Sequence, residues 1–414
     1  MKGAAKAAIS TREPRAAVKT REPRRKPERA AREAAPPRDA ALDGGVLSAA
    51  LLLVALGTVM IYSTTAPKVD PGTLPPYFLK QLEAIVAGTL LAALAAAVPL
   101  RVWHAVALPV WVGTVVALLA TLAVGIETNG AKRWLGVESI GLVIQPGEFA
   151  KFAAVLAVSA VLSRRDVRTG VSLRRIAAVG ALGAVPAGLL VLQPDLGNAV
   201  LLLGLAALLL FVAGMNLRLL VAPAALGAVA IGAYIAAHPY ALNRVIGFLS
   251  PWKTAHSQGY QLVQSFVAFG RGGFFGVGVG GGLQKLHYLP EAHTDFILAV
   301  IAEELGLAGV LFVLGAFAAL LYAGVRIALR TRQRFAMLLA FGMTALVAVP
   351  AVLNGAVVMG LVPTKGLTLP LLSYGRSSIL ASCLAIGVLL GIGRRDARET
   401  PAPIGKASPR GVAP

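Results

Sequence analysis

The chain has 414 residues, 57% of them hydrophobic and only 14% charged, with a mean hydropathy of +0.74. That profile excludes an ordinary soluble domain and requires lipid as the solvent. The formal charge of +20 does not make a nucleic-acid binder, because much of it lies in a tail and short loops with no aromatic platform between the charges.

Residues 1–43 form a basic tail. Its first 40 positions hold twelve Lys or Arg against five acids, amid Ala and Pro with no apolar period, the composition of a disordered cytoplasmic segment near anionic membrane lipid. The first apolar run begins near Gly45, is long enough to span and lacks an evident cleavage site, so a retained helix is expected in place of a signal peptide. A span needs about 20 mostly apolar residues. Such runs lie near Gly45 to Ser63, Phe78 to Leu100, Val102 to Gly125, Phe149 to Ser163, Ile176 to Leu192, Ala199 to Val212, Leu219 to Ala237, Leu305 to Val325, Phe335 to Met359 and Ser377 to Ile392. The expected fold is all-α: a polytopic membrane domain of about ten transmembrane helices over 44–395, with a cytoplasmic tail over 396–414.

Ten helices place both termini on one side. Arg164, Arg165, Arg168, Arg174 and Arg175 share one short loop, and Arg326, Arg330, Arg332 and Arg334 another, so the positive-inside rule makes these loops, Arg218 and both termini cytoplasmic. Segments 126–147, 193–197, 238–296 and 360–376 then face outward. The longest lies between helices 7 and 8 as a large extracytoplasmic loop, longer than a plain connector needs. No internal repeat of the transporter kind is evident.

The outward segments concentrate ionisable residues. Asp295, in LPEAHTDF beside Glu291, His293 and Thr294, stands where the long loop meets the next helix. Partial desolvation there raises a carboxylate's pKa and suits it to general-base work, whereas Thr294 or Asp295 could equally serve as a helix cap. Glu148 and Lys151, in QPGEFAKF, share a helix face three residues apart, either as a structural ion pair or as the lining of a cavity. Pro146 suits that helix's first turn. NGAKRWLG places Lys132, Arg133 and Trp134 at the outer interface. Two adjacent cations on the translocated side fit a phosphate-bearing ligand, although a Trp there is ordinary for an aromatic belt. Arg244, Lys285 and Lys365 extend this basic set. Asp195, in QPDLGN, reads as a cap for the following helix.

The Gly-rich run 269–282 follows no predicted strand and lacks the full phosphate-loop pattern, so close packing of a re-entrant or interfacial segment is expected. His287 and His293 are six residues apart and build no metal site by spacing, and with Cys383 as the only cysteine there is no Cys-based zinc cluster or internal disulfide.

Taken together, NGAKRWL, QPGEFAK, QPDLGN, GYQLVQS, QKLHYLPEAHTDFILAVIAEELG and LVPTKGLTLPLLSYGRSS occur in the order seen in the SEDS family (shape, elongation, division and sporulation), which residues 45 to 395 resemble. PEAHTDF and PTKGLTLP are similar to its cell-division branch. The resemblance implies a peptidoglycan glycosyltransferase of the bacterial cytoplasmic membrane at the division septum. Its implied substrate is lipid II, with undecaprenyl pyrophosphate as leaving group, and its implied partners are a class B penicillin-binding protein transpeptidase and other divisome membrane proteins. It also implies that Asp295 is the catalytic aspartate, that Glu148 and Lys151 are the family's helix-four pair, and that Trp134 is its outer-loop tryptophan. Glycan extension needs a base near the attacking hydroxyl and positive charge near the diphosphate, so Lys132, Arg133, Arg244, Lys285 and Lys365 become candidate diphosphate ligands, beside Glu291 and His293 near the base. No cofactor is assigned, and a divalent cation at the diphosphate is left open. The chain departs from the family wording at Gly147, Asn198, Ser250 and Arg376, the last standing where a glycine is usual. A lipid II flippase, an elongation polymerase and a scaffold recruiting division enzymes are the competing expectations.

Overall fold

The computed structural model describes residues 42–70, 72–128, 130–137, 142–164 and 171–399. The basic tail up to residue 41, Asn129, Arg165, Arg168 and the C-terminal tail from residue 400 lie outside these residues. Helices run over α1 (Gly44–Thr65), α2 (Pro76–Ala97), α3 (Leu100–Val124), α4 (Pro146–Ser163), α5 (Leu173–Leu192), α6 (Leu196–Val212) and α7 (Leu217–Ala237). They continue as α8 (Pro239–Leu249), α9 (Tyr260–Gly272), α10 (Ile297–Arg330), α11 (Arg334–Val358) and α12 (Arg376–Glu399). Among the described residues nine helices are long and apolar enough to cross a membrane, and α6 is an apolar helix of 17 residues, about 26 Å long. The chain is a multi-pass membrane protein, and the expected spans correspond to α1 to α7 and α10 to α12.

The centre is built from α4, α11 and α12, whose most apolar windows are each 72% buried, whereas none of α7's window is. Without a hydrophobic drive between helices in lipid, contact requires small residues that let backbones approach. Gly391 meets this need between α12 and α2, since a Cβ there would lie 2.8 Å from the Ala96 carbonyl oxygen. Asp43 caps α1 and pairs with Arg326 at 2.9 Å, while Arg334 donates to the Ala213 carbonyl at 2.9 Å and Arg395 to the Ala97 and Val98 carbonyls at 3.0 and 2.6 Å. Arginines thus close one end of the bundle by satisfying helix-terminal carbonyls.

Two features refine the expected helical architecture in detail. The segment between α3 and α4 folds as a three-stranded antiparallel sheet of β1 (Ile126–Thr128), β2 (Ala131–Val137) and β3 (Leu142–Ile144), ordered β1-β2-β3 with Trp134 opposite Ile126 and Lys132 opposite Glu127. Gly130, at φ 73, supplies the left-handed turn between β1 and β2. The second concerns α10, which begins at Ile297 and not near Leu305, and is broken at Gly306 (φ 67, ψ −164).

A broken helix inside a membrane leaves backbone groups that need partners. The Gly-rich run provides them: Val277 and Gly278 donate to the Glu303 and Glu304 carbonyls, each at 3.0 Å, while Leu307 and Ala308 donate to Gly273 and Phe274 at 3.0 and 3.1 Å. Close packing of this segment is therefore as expected. The backbone approach needs hydrogen in place of a side chain at Gly276, whose φ is 81 and whose Cβ would collide with the Glu304 carbonyl.

Candidate active site

Asp295 follows a turn set by Glu291, which holds φ 55. Thr294 and Phe296 both donate their backbone N–H to the Glu291 carbonyl at 3.2 Å, and the Thr294 hydroxyl donates to the Glu291 carboxylate at 2.7 Å. The N-cap of α10 is Phe296, with no side-chain cap bond, so neither Thr294 nor Asp295 is the cap. The Asp295 main chain is instead gripped from α11: Asn354 donates to the Asp295 carbonyl at 2.8 Å and to the Leu367 carbonyl at 2.6 Å. One buried amide thus fixes both the 289–296 segment and the 360–375 loop. Ser373 donates to the Thr294 carbonyl at 2.5 Å and the Tyr374 N–H to the His293 carbonyl at 2.9 Å, completing the seam.

The half-buried carboxylate of Asp295 receives no hydrogen bond among the described residues. A Cβ at position 366 would lie 3.0 Å from its Oδ2, so Gly366 leaves the space it occupies. Burial, reinforced by the Glu291 carboxylate and opposed by Arg244, pushes the Asp295 pKa from 3.8 to about 7. A carboxylate in this state takes up a proton near neutral pH, as a general base must.

Three cations come from other segments at the same end of the bundle. Lys365 is half-buried, its stem packed against Gly197, and burial lowers its pKa from 10.5 to about 8, with Asp195 opposing and Arg244 adding to the shift. Arg244 of α8 donates to the Thr364 carbonyl at 3.2 Å and to the Tyr240 hydroxyl, with its guanidinium 4.7 Å from that ring's centre. Arg133 of β2 donates to the Gln193 and Pro194 carbonyls at 3.1 and 2.6 Å, tying the sheet to the turn before α6. Asp195 caps α6 as expected, accepting from the Asn198 N–H at 3.2 Å and side chain at 2.9 Å, and also from Gln145 at 3.3 Å. The Asn198 departure is therefore well used. Arg376 opens α12 outside the left-handed region, so its replacement of glycine costs no backbone strain.

The remaining candidates divide. Glu148 and Lys151 form an ion pair at 3.0 Å in the first turns of α4, with side chains 13% and 5% exposed. Lys132 is exposed on the sheet and Trp134 half-buried. Glu291 is exposed and serves as the turn residue. His293 packs against the rings of Tyr77 and Tyr374. An apolar groove of about 450 Å³, lined in part by Val110, Thr114, Leu135, Ile144 and Phe149, opens between α3, the sheet and α4.

Lys285 needs correcting. It is buried, donating to Glu304 at 2.7 Å and to the Ser63 hydroxyl at 2.8 Å, so its charge is consumed inside the bundle and does not extend the outer basic set. Beside it Arg271 pairs with Glu303 at 2.9 Å, and the backbone N–H groups of Leu283 and Gln284 donate to Glu303 at 3.0 and 3.1 Å. In the sequence this network shows only as two adjacent acids inside an apolar helix, which at membrane depth require partners.

A profile of the FtsW/RodA/SpoVE family, described as cell cycle protein, matches residues 45–398. The probable peptidoglycan glycosyltransferase FtsW of Methylomonas methanica is 38% identical over 360 residues, covering 85% of this chain and 92% of that protein. The protein of the same name from Legionella pneumophila is 40% identical over 359 residues, covering 84% and 88%. A solved chain from a study of the structural coordination of polymerization and crosslinking by a peptidoglycan synthase complex is similar with a TM-score of 0.72 at 32% identity, covering 86% of this chain and 98% of that one. The crystal structure of the Thermus thermophilus rod shape determining protein RodA gives 0.64 at 29% identity, covering 86% and 97%. With its profile matched along nearly all of the membrane-embedded chain, and with relatives of this identity and coverage, the protein belongs to the FtsW/RodA/SpoVE family.

Proposed function

We propose that this protein is a peptidoglycan glycosyltransferase that polymerises lipid II, with Asp295 as the general base. The observation that carries the reading is a half-buried carboxylate that receives no hydrogen bond among the described residues and whose pKa burial pushes up to about 7, within the electrostatic reach of Arg244 at the bundle end opposite the arginine clamps. In the reaction Asp295 takes the proton of a sugar hydroxyl as its oxygen attacks the anomeric carbon of the other glycan. The bond from that carbon to the diphosphate oxygen breaks, and undecaprenyl pyrophosphate leaves with the electron pair. Lys365, Arg244 and Arg133 are the cations proposed to receive that charge, with exposed Lys132 as an outer contact. Glu148 and Lys151, paired at the mouth of α4, shape the entry for the lipid-linked sugar, and the apolar groove beside them suits its tail.

The relatives named FtsW support a role at the division septum, and the similar chain from a polymerising and crosslinking complex supports a class B penicillin-binding protein as partner. The bundle-end arginines support a cytoplasmic location for both termini. The test is glycan synthesis from lipid II by the purified protein together with its transpeptidase partner. Asp295→Asn should abolish strand formation with expression and folding intact. Full activity in that variant refutes the base, and lipid II that changes leaflet in liposomes without polymerising refutes the enzyme.

A further inference from the structure

On the seam that holds the segment of the proposed base, three aromatic side chains meet. Tyr77 lies in the first turn of α2, Tyr374 at the end of the 360–375 loop, and His293 two residues before Asp295. Their ring centres are 5.1 Å apart for Tyr77 and His293, 5.2 Å for Tyr77 and Tyr374, and 5.7 Å for His293 and Tyr374. We infer that Tyr77, His293 and Tyr374 form a saccharide-binding face that holds the glycan strand beside the reacting sugar. This inference rests on the glycosyltransferase reading and names a subsite within it.

The alternative is a membrane-interface belt, where tyrosines are common. A belt residue needs only an apolar body and a wet tip. Here Tyr374 is fastened to the segment carrying the base through its N–H to the His293 carbonyl at 2.9 Å, and its loop is fastened to α2, which carries Tyr77, through buried Gln81. The Gln81 amide donates to the Ser373 carbonyl at 3.2 Å and accepts from the Gly375 N–H at 3.4 Å. A buried glutamine of α2 spent on main-chain groups of this loop fixes where Tyr374 stands relative to Tyr77, which lipid contact does not require. Tyr77 remains 46% exposed, so part of its surface is open to a ligand.

The chemistry of a β-linked aminosugar matches such a face. Its axial C–H groups form an apolar surface that packs on an aromatic ring, while its hydroxyl and acetamido groups take hydrogen bonds from phenol and imidazole. Burial raises the Tyr374 pKa above the usual phenol value, against the opposing charge of Arg376, so its hydroxyl stays a donor at working pH. The diphosphate and the sugars thereby fall to different groups: cations from β2, α8 and Lys365 for the one, aromatic rings for the other.

The experiment titrates chitotetraose, a neutral β-1,4-linked tetrasaccharide without lipid or phosphate, into detergent-solubilised full-length protein, following ligand saturation-transfer NMR in parallel with strand length from lipid II. Tyr77→Ala should weaken chitotetraose binding about five-fold and shorten the strands, whereas Tyr77→Phe should stay within about two-fold. Tyr77→Leu, which keeps apolar bulk in the helix's first turn, guards against misfolding and should behave like Tyr77→Ala. Unchanged binding and strand length in both Tyr77→Ala and Tyr77→Leu overturn the inference and leave the rings as a lipid belt. Asp295→Asn separates the two readings: it should bind chitotetraose like the parent while making no strands. If it polymerises, the base assignment falls and the saccharide face stands on the binding data alone.

Discussion

The pKa of Asp295 predicts a pH profile in which both the position and the response to neighbours are fixed. Moving the carboxyl from 3.8 to about 7 corresponds to roughly three pH units, or about 4 kcal/mol against ionisation, an upper figure for a half-buried group. A general base works only when deprotonated, so the rate should climb tenfold per pH unit below about 7, leaving about one-tenth of the enzyme competent at pH 6. Lys365 loses its charge near 8, which brings the rate down again at higher pH and makes the profile a narrow bell belonging to the coupled set of groups. The acidic limb should move in opposite directions in two variants. Glu291→Gln removes a charge that raises the Asp295 pKa and shifts the limb to lower pH; Arg244→Gln removes one that lowers it and shifts the limb to higher pH. Folding carries the same sign. Because the folded state holds the Asp295 proton more tightly than the unfolded chain, stability falls as pH rises from about 4 to about 7, and Asp295→Asn should be more stabilising at pH 8 than at pH 5. Strand synthesis from lipid II between pH 5.5 and 9, alongside thermal melting in detergent, reads both effects. A flat rate from pH 5.5 to 7.5, or an upward shift in Glu291→Gln, refutes the reasoning.

Gly366→Ala places a methyl 3.0 Å from the Asp295 carboxylate oxygen without demanding a positive φ, so the protein should fold while kcat drops about ten- to a hundredfold from misplacement of the base; single-turnover kinetics on purified protein would measure it, and parental kcat would contradict it. Lys285→Met leaves Glu304 charged and buried, which should cost about 3–5 kcal/mol and lower the melting temperature sharply. The double variant Lys285→Met with Glu304→Leu should recover much of the loss, and a melt as low as that of the single change would argue against the ion pair.

How much of this was legible in the sequence depended on the range of each signal. Spans were legible because hydropathy is local and lipid leaves a helix few alternatives. The start of α10 was not: its first turns carry Glu303 and Glu304, which depress hydropathy, and the Gly-rich run folded against them, with Arg271 and Lys285, explains why acids are tolerated there. The small sheet is harder to see, although Asn129-Gly130 is a strong hairpin signal, because its strands are short and carry no long apolar alternation. Asp295 stands out in the sequence because a carboxylate at a helix boundary is conspicuous, and Phe296 as the N-cap removes capping as its role. Lys285 and Lys365 look alike as letters, two lysines in outer segments. Their fates differ because one meets Glu304 across the bundle and the other lies half-buried near Asp195, partners 19 and 170 positions away in the chain.

The arrangement around Asp295 argues that the fold separates holding the base from surrounding it. Holding is done below, where Arg271, Lys285, Glu303 and Glu304 neutralise one another and the Gly-rich run replaces the backbone bonds that α10 loses at Gly306. It is also done from the side by Asn354, whose amide binds main-chain carbonyls and reads no side chain. Surrounding is done by Lys365, Arg244 and Arg133, each from a different connector and each oriented in part by backbone carbonyls or packing on glycine. Bonds to main chain persist when neighbouring side chains change. This explains why replacements such as Arg376 and Asn198 fit without disturbing the seam: one opens a helix at an ordinary φ, and the other donates to the cap it follows. A substitution that removes Asn354 strikes both sides of that seam at once, so Asn354→Ala should cost activity more than the loss of any single surrounding cation.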